Sequence, residues 1–267
     1  MRIRLITWNI NSLRKRIDLL ARLVERVAPD VVCLQETKVP DEKFPHEAVA
    51  ALGFEHRVTR GYKGYNGVAI LSRLPFATAG HRDWCGRDDA RHVYATVADG
   101  LEIENFYVPA GGDEPDPEIN EKFAHKLQFM AELEAWGRGL PRNGVRRILV
   151  GDLNVAPLET DVWSHKQLRN VVSHTPVEVA HLARVQDAHG WVDAMRTFVP
   201  PEEPLYSWWS YRARDWAVSN RGRRLDHVWV SPALAPALAA TTVLQEVRGW
   251  DTPSDHAPVM TDLDLRP

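Results

Sequence analysis

The sequence predicts an α/β protein in which two mixed β-sheets pack face to face with the helices outside them. The chain opens as strand, helix and strand: residues 2–8 alternate polar and apolar, a helical pattern follows, and residues 31–34 form an apolar run. Further along, Asp99-Gly100 separates the strand-like segments His92–Val97 and Leu101–Tyr107, and this dipeptide is a strong hairpin signal. Antiparallel strands therefore accompany parallel ones, which argues against a purely parallel, doubly wound sheet.

The composition fits one soluble globular domain spanning residues 1–267. Hydrophobic residues make up 44% of the chain, yet no apolar run reaches the roughly 18 residues that a membrane span needs, so no membrane partner is expected. Two cysteines, Cys33 and Cys85, are too few for a disulfide framework, which fits a reducing, cytoplasmic location. With a net charge of −3, a DNA partner would have to be bound by local basic patches or through a cation.

The first helix is predicted from the spacing of its apolar residues. Ser12 is the expected N-cap, and Pro29 ends the helix. The apolar face consists of Leu13, Ile17, Leu20, Val24 and Val27.

The middle of the chain continues in the same way. A strand at residues 68–71 follows Asn66-Gly67, and a buried strand is expected at residues 148–150. Between them a helix stops near residues 137–141. Its apolar side consists of Phe123, Leu127, Met130 and Leu133.

The later segments are less regular. Residues 156–204 mix polar and apolar positions and suggest several short helices. Strands are expected at residues 225–230, 241–247 and 259–263, with a turn-rich loop at residues 251–258 before the last of them.

Polar side chains collect where the predicted strands end or begin. Asp152 and Asn154 follow a buried strand at a spacing that points both side chains to one face of an extended segment, although an ordinary turn would also favour these residues. The other members of the set are Asn9, Glu36, Tyr107, Asp226, Asp255 and His256. Carboxylates brought together need a cation, and oxygen ligands without cysteine favour Mg²⁺, with Mn²⁺ as a substitute, over zinc. Glu36 is the strongest candidate ligand.

These residues and their neighbours resemble the exonuclease III family of abasic-site endonucleases, within the deoxyribonuclease I-like superfamily. The similarity is greatest to its bacterial exodeoxyribonuclease III branch. The matching words occur in the family's order over nearly the whole chain, which makes the set highly specific. They are Trp8-Asn9-Ile10-Asn11, Leu34-Gln35-Glu36-Thr37-Lys38, residues 65–72, Tyr107-Val108-Pro109, Gly151-Asp152-Leu153-Asn154, Arg224-Leu225-Asp226 and residues 253–258.

The resemblance implies a four-layer α/β/β/α sandwich, the deoxyribonuclease I-like fold. It also implies Mg²⁺-dependent cleavage of double-stranded DNA 5′ to abasic sites, and removal of nucleotides, phosphates and other blocking groups from 3′ ends. A monomer is expected. In the family's pattern Glu36 binds the metal, Asn11 lies nearby where some relatives have aspartate, and Asp255 is close to the ion.

The remaining positions take catalytic roles by the same resemblance. Asp152 positions and deprotonates the attacking water, while Asn9 and Asn154 hold the phosphate or the water. Tyr107 contacts the phosphate or the leaving oxygen.

A histidine completes the set that the resemblance implies. His256 contacts a non-bridging oxygen and is oriented by Asp226, a pairing that fixes tautomer and raises basicity. His256 is the general base in other members of the wider superfamily, so the sequence leaves two candidates for the base, Asp152 and His256.

One position departs from the family's pattern. Relatives usually carry Asn after the Tyr-x-Pro word, whereas this chain has Ala110 followed by Gly111-Gly112. This removes a potential phosphate ligand, for which Lys122 or a glycine N–H would be a substitute.

A segment at residues 206–224 interleaves aromatic residues with arginines, as suits a loop that enters a DNA groove or lines a pocket for an extruded sugar. Trp208, Trp209 and Arg212 are the expected DNA contacts, Leu225 is the expected apolar wall for the sugar, and Arg91 is a weaker phosphate candidate.

Two other hypotheses compete with a DNA repair nuclease. One is a phosphoesterase of the same superfamily for lipid, inositol phosphate or RNA, against which the aromatic and arginine segment argues. The other is a DNA-binding protein that has kept the fold and lost catalysis, against which the complete set of polar residues argues.

Overall fold

The computed structural model describes residues 1–97, 100–142 and 144–265, whose strands form two six-stranded sheets and a two-stranded ribbon. The strands are β1 (Arg2–Asn9), β2 (Val31–Gln35), β3 (His56–Arg60), β4 (Val68–Ser72), β5 (Thr78–Gly80), β6 (His92–Val97), β7 (Leu101–Tyr107), β8 (Arg147–Asp152), β9 (Val192–Asp193), β10 (Trp208–Trp209), β11 (Gly222–Arg223), β12 (Asp226–Val230), β13 (Leu238–Val243) and β14 (Val259–Asp264).

The two sheets are both mixed. The first has the order β13-β14-β1-β2-β4-β3 and the second the order β5-β6-β7-β8-β12-β9. At the centre of each sheet one pair is parallel, β1 with β2 and β7 with β8, and the other pairs described are antiparallel. The α-helices are α1 (Ile17–Val27), α2 (His46–Ala51), α3 (Glu121–Gly139), α4 (His165–Leu168), α5 (Pro176–His189), α6 (Ala194–Phe198) and α7 (Trp216–Ser219).

Short 3₁₀ segments connect several of these elements. They are Leu13–Lys15, Asp41–Lys43, Glu159–Asp161, Ala235–Ala237 and Gln245–Gly249. Among the residues that the structure describes, no helix combines the length and apolarity needed to cross a membrane.

Three apolar clusters stack the elements into four layers. The first lies between the sheets and joins residues such as Leu5 and Ile70 of one sheet to Ile103 and Val150 of the other. A second cluster packs α1 and α2 on the outer face of the first sheet. The third packs α3 and α5 on the outer face of the second. The predicted α/β/β/α sandwich is therefore confirmed.

The strand register explains why the polar residues meet. Asp152 lies opposite Tyr107 on one side and opposite Asp226 on the other. Gly151, with φ of 136°, allows this approach, since a Cβ there would lie 1.9 Å from the carbonyl oxygen of Phe106. Asn9, at the end of β1 in the other sheet, donates to Asp152 at 2.9 Å, so strand ends from both sheets meet at this place.

Several local predictions need correction. Ser12 caps no helix: its φ is 90°, its side chain makes no capping bond, and its N–H donates to the carbonyl of Glu36 at 2.7 Å. A 3₁₀ turn precedes α1, which begins at Ile17. The strand expected at residues 241–247 is Leu238–Val243, and the chain then forms a 3₁₀ turn.

The hairpin between β6 and β7 is present, with Asp99 of its turn outside the described residues. The expected short helices after residue 156 include one full helix, α5, which packs against α3.

Candidate active site

A cavity of about 690 Å³ opens where the strand ends converge. Its lining combines hydrogen-bonded polar groups with aromatic, aliphatic and arginine side chains. The polar groups are Glu36, Tyr107, Asp152, Asn154, Asp255 and His256.

Asp152 is the central carboxylate of these polar groups and is 1% exposed. Its Oδ2 accepts a hydrogen bond from Asn9 Nδ2 at 2.9 Å, and its Oδ1 accepts the N–H of Asn154 at 3.0 Å. The same Asn9 amide donates to Glu36 Oε1 at 3.0 Å, and the Tyr107 hydroxyl donates to that oxygen at 2.8 Å. One hydrogen-bonded chain thus joins carboxylates that come from different sheets.

His256 faces Asp152 across the cavity. Its Nδ1 lies 2.8 Å from Asp226 Oδ2, and that oxygen also accepts the Ser207 hydroxyl at 2.6 Å. Its Nε2 is 3.7 Å from Asp152 Oδ2, too far for a direct hydrogen bond, so Nε2 is available to another acceptor. Trp8 donates its indole N–H to the His256 carbonyl at 3.0 Å and holds this loop against the first sheet.

Burial and mutual charge shift the pKa values of this pair. Burial raises the pKa of Asp152 to about 7, against the opposing effect of the His256 charge and with a contribution from Asp226. Burial alone would lower the pKa of His256, but Asp226 and Asp152 raise it to about 10. At neutral pH the histidine is therefore an imidazolium, and Asp152 is the group poised to exchange a proton.

Tyr107 keeps its proton throughout the physiological pH range. Burial raises the pKa of its phenol well above the ordinary value, and the carboxylates of Glu36 and Asp152 raise it further. The side chain is therefore a hydrogen-bond donor in this site.

The oxygen atoms around Glu36 fit a hard cation. Lys38 Nζ, itself a cation, lies 2.6 Å from Glu36 Oε2 and 2.6 Å from Asn11 Oδ1. Asn11 in turn donates to Asp255 Oδ1 at 3.0 Å. Burial opposes ionisation of Glu36, yet Lys38 and donors from Asn9 and Tyr107 hold its pKa below the usual range. A carboxylate that stays ionised among oxygen ligands suits Mg²⁺ or Mn²⁺.

A second group of possible ligands consists of Asp152, Asp226 and His256, whose ligand atoms lie within 4.8 Å of one another. Here Asp226 Oδ2 is already bonded to His256 and Ser207. Asn11 and Asp255 are therefore hydrogen-bonded to each other. Glu36 is joined to Asn11 through Lys38, whose ammonium group contacts both side chains.

Asn154 enters the site by a turn and not by an extended segment. Its φ is 55°, so the expected same-face geometry with Asp152 does not apply, although both side chains line the cavity. Its Nδ2 donates to the Val108 carbonyl at 2.9 Å, which ties this turn to the end of β7.

A buried ion pair fixes the loops behind this turn. Lys126 of α3 donates to the carbonyls of Ala110 at 3.3 Å and Asn154 at 2.8 Å, and it pairs with Glu178 of α5. Glu178 also accepts the Ser173 N–H at 2.9 Å. Lys126 and Glu178 are both fully buried, so three loops that line the cavity depend on one pair. We call this pair with its bonded loops the Lys126 clamp.

The Lys126 clamp also bears on the missing asparagine. Lys122, suggested from the sequence as a substitute at position 110, is exposed and does not line the cavity. The loop is held instead through the carbonyl of Ala110, by a lysine one helical turn further along α3.

The expected DNA contacts divide into two groups. Trp208, Arg212 and Leu225 line the cavity, and the indole N–H of Trp208 donates to Asp255 Oδ2 at 3.0 Å. Trp209 does not line it: the side chain is 2% exposed and belongs to the interior, which corrects the expectation of a surface contact. Arg91 does not line the cavity either: its Nε lies 2.5 Å from Asp89 Oδ2, and its guanidinium carbon lies 5.0 Å from the ring centroid of Tyr107.

Several residues that line the cavity were not predicted from the sequence as site residues. They are Trp163, Val171, Val172, Ser173, Arg221 and Arg223. Arg221 and Arg223 belong to the aromatic and arginine segment already noted, whereas Trp163 stands in a stretch with no recognised pattern. One sequence pattern could have identified the loop at residues 171–173. Thr175-Pro176-x-Glu178 is a capping box that begins α5, and Glu178 also accepts the N–H of Ser173, which lines the cavity.

Comparison with known proteins agrees with this geometry. The Endonuclease/Exonuclease/phosphatase family matches residues 6–256. Exodeoxyribonuclease III of Haemophilus influenzae is 31% identical to this chain over 268 residues, covering 96% of this chain and 98% of that protein.

Solved structures are similar over the same length. The 3′ phosphatase NExo from Neisseria, bound to a product DNA hairpin, has a TM-score of 0.89 and 33% identity and covers 98% of this chain and 99% of its own. An AP endonuclease from Archaeoglobus fulgidus has a TM-score of 0.90 and 30% identity and covers 98% of this chain and 100% of its own.

Proposed function

Since the chain belongs to the endonuclease/exonuclease/phosphatase family and is a DNA repair nuclease of the exodeoxyribonuclease III type, we propose that it has two activities. It cleaves double-stranded DNA 5′ to abasic sites, and it removes nucleotides and blocking groups from 3′ ends. The observation that carries this proposal is the meeting of Asp152 with the Asp226–His256 pair, beside Glu36, in one open cavity.

The metal in this proposal is Mg²⁺, for which Mn²⁺ can substitute. Glu36, Asn11 and Asp255 would hold it, because they supply oxygen ligands and Glu36 stays ionised although it is half-buried. When bound, the ion neutralises charge on the phosphate and polarises its oxygen atoms.

Asp152 acts as the general base in the proposed mechanism. Its raised pKa near 7 matches the task of accepting a proton from water, and Asn9 fixes the orientation of Oδ2. His256 is protonated at neutral pH and so cannot accept that proton. Its free Nε2–H instead donates to a non-bridging phosphate oxygen, where negative charge grows.

Three further residues complete the reaction centre. Asp226 holds the imidazolium through Nδ1, and Asn154, which lines the same cavity, orients the phosphate or the attacking water. Tyr107 keeps its proton and donates toward the phosphate or the leaving 3′ oxygen.

Arginines without a carboxylate partner support a DNA substrate over a smaller phosphoester. Arg212, Arg221 and Arg223 line the cavity, and among the described residues none of them lies within 4.0 Å of a carboxylate oxygen. Guanidinium groups that have no carboxylate partner, placed around an acidic centre, suit successive backbone phosphates. Trp208 and Leu225 form the apolar side against which an abasic sugar would lie.

The proposed nuclease is a single-domain monomer. Residues 1–267 act as one domain and as a monomer, since β1 pairs directly with β14 and the cavity is formed within one chain.

The test uses a labelled duplex that carries one tetrahydrofuran abasic mimic, incubated with Mg²⁺ or with chelator. A single incision 5′ to the mimic, lost with chelator, supports the proposal. Asp152→Asn should lower kcat by roughly 10³-fold or more while DNA binding is retained, because it removes a base and not a contact. Cleavage of inositol or lipid phosphoesters in place of DNA would overturn the assignment, and so would DNA binding without any Mg²⁺-dependent turnover.

A further inference from the structure

The cavity extends beyond the reaction centre to an aromatic platform. Trp163 is half-buried, lines the cavity, and donates its backbone N–H to the carbonyl of Gly222 at 3.1 Å. The guanidinium of Arg221 stacks on its ring with 4.6 Å between the guanidinium carbon and the ring centroid. Arg221 lines the cavity too, so this stacked pair is part of the cavity wall.

A second stacked pair lies beside the first. Arg223 is 5.3 Å from the ring centroid of Trp208 and donates to the Val172 carbonyl at 3.1 Å and to Ser173 Oγ at 2.8 Å. Val172 also lines the cavity. This part of the wall therefore offers indole and guanidinium planes together with apolar groups, and hydrogen bonds hold the Arg223 guanidinium and the Trp208 indole in place.

Flat apolar surfaces bordered by cationic donors match a nucleobase. Bases stack on aromatic rings and on arginine planes in single-stranded DNA and RNA recognition, with little regard to sequence. A sugar that has lost its base presents neither a ring face nor base edges to such a wall. At about 690 Å³ the cavity lies within the range of sites for whole small ligands, so a nucleotide has room in it.

We propose that Trp163 and Arg221 form a subsite that binds the nucleobase of a 3′-terminal nucleotide while its phosphodiester lies between Asp152 and His256. This subsite rests on the proposed nuclease function and deepens it. Abasic sugars and intact nucleotides share the reaction centre, and only the intact nucleotide makes use of the Trp163 platform.

The test compares two duplexes with recessed 3′ ends that differ in one group. One ends in an ordinary nucleotide and the other in a tetrahydrofuran residue, which lacks the base. The measured quantity is the ratio of kcat/KM values for removal of the two terminal residues. Trp163→Ala should lower the preference for the base-bearing end by about ten-fold, within the range found for base–aromatic stacking. Trp163→Phe should keep most of it.

Binding provides a second readout without turnover. In an Asp152→Asn background, Trp163→Ala should weaken affinity for the base-bearing end relative to the base-less end. Arg221→Ala should have the same effect, and it serves as the test variant if Trp163→Ala does not fold. Trp250→Ala is the matched control, because Arg22 stacks on Trp250 at 4.2 Å outside the cavity. It should leave the ratio unchanged.

The outcomes separate this inference from the function on which it rests. An unchanged ratio in both Trp163→Ala and Arg221→Ala would overturn the nucleobase subsite, even if both ends are still cleaved. An equal change with Trp250→Ala would also overturn it. If the wild-type protein removes neither terminal residue and does not incise abasic duplexes, the nuclease proposal itself fails.

Discussion

Removing the ammonium group of Lys126 is expected to damage both stability and turnover. Lys126→Met keeps most of the apolar stem and deletes the donor that binds the carbonyls of Ala110 and Asn154. The Glu178 carboxylate stays buried and keeps its bonds from Ser173 and Thr175, but it loses its counter-charge. The substitution therefore leaves a buried anion without a cation.

The size of the effect follows from that geometry. Breaking a fully buried ion pair from one side costs about 3–5 kcal/mol of unfolding free energy. For a chain of this size that corresponds to a fall in Tm of roughly 6–20 °C. The freed Asn154 turn carries a side chain of the reaction centre, and a small displacement there should lower kcat roughly ten- to hundred-fold. The KM for DNA should change little, because Lys126 is not exposed to the substrate.

The assay combines thermal unfolding with single-turnover cleavage of the abasic duplex well below the Tm of the variant. Glu104→Gln is the control: it perturbs another buried pair, His92 with Glu104 at 2.8 Å, whose residues do not line the cavity. It should lower Tm and leave kcat unchanged. The double variant Lys126→Met/Glu178→Gln should recover part of the lost stability, since no unpaired charge remains.

Two results would refute this reasoning. An unchanged Tm in Lys126→Met would mean that the pair contributes nothing to the folded state. A lowered Tm with wild-type kcat would make the Lys126 clamp a purely structural feature with no influence on the Asn154 turn.

Four further predictions test other parts of the site. Because burial raises the pKa of Asp152 to about 7, kcat should fall as pH drops below that value, and a flat profile down to pH ~5 would exclude Asp152 as the base. Glu36→Gln should raise the Mg²⁺ concentration for half-maximal activity by about ten-fold or more, so an unchanged titration would remove it from the metal site. Trp208→Ala should reduce affinity for abasic duplex with little change in Tm, whereas Trp209→Ala should lower the unfolding free energy by about 3–5 kcal/mol. A stability loss in Trp208→Ala together with an affinity loss in Trp209→Ala would contradict the placement of Trp208 in the cavity wall and of Trp209 in the interior. Burial lowers the pKa of His227 from 6.5 to about 4, so this residue's contribution to the free energy of unfolding is complete above pH 6.5 and falls by about 3 kcal/mol as pH drops toward 4. In acid denaturation the wild-type protein should therefore lose about 3 kcal/mol more of its free energy of unfolding than His227→Gln. Equal losses in the two proteins would contradict the lowered pKa of His227.

Sequence patterns predicted the strands that carry the reaction centre. The apolar run before Asp152 and the hairpin flanks around residues 98–100 have strong local signals, and the structure contains those strands. Strands at the edges of the sheets were harder to predict from the sequence. His56–Arg60 is only half-buried along its whole length, and a strand without a buried face lacks the alternation that identifies one.

The supporting residues could not be predicted, because their environment comes from distant parts of the chain. Lys126 sits in an ordinary helical pattern, where a lysine is normally exposed, and only the packing of α3 on α5 buries it against Glu178. Trp209 shows the reverse case. Its place in an aromatic and arginine segment suggested the surface, yet the ring packs inside, and Trp163 lines the cavity without a local signal.

The pairing of β1 with β14 has a consequence for the newly made protein. Residues 2–9 are translated long before residues 259–264, so one edge of β1 has no partner until the later residues are made. His256 lies just before that strand, so a chain interrupted after Val230 contains Glu36 and Asp152 without the imidazolium that faces them. Such fragments, purified and refolded, should show no cleavage of abasic duplex, and measurable cleavage would contradict this. The chain can therefore complete its proposed reaction centre only after His256 and residues 259–264 have been translated.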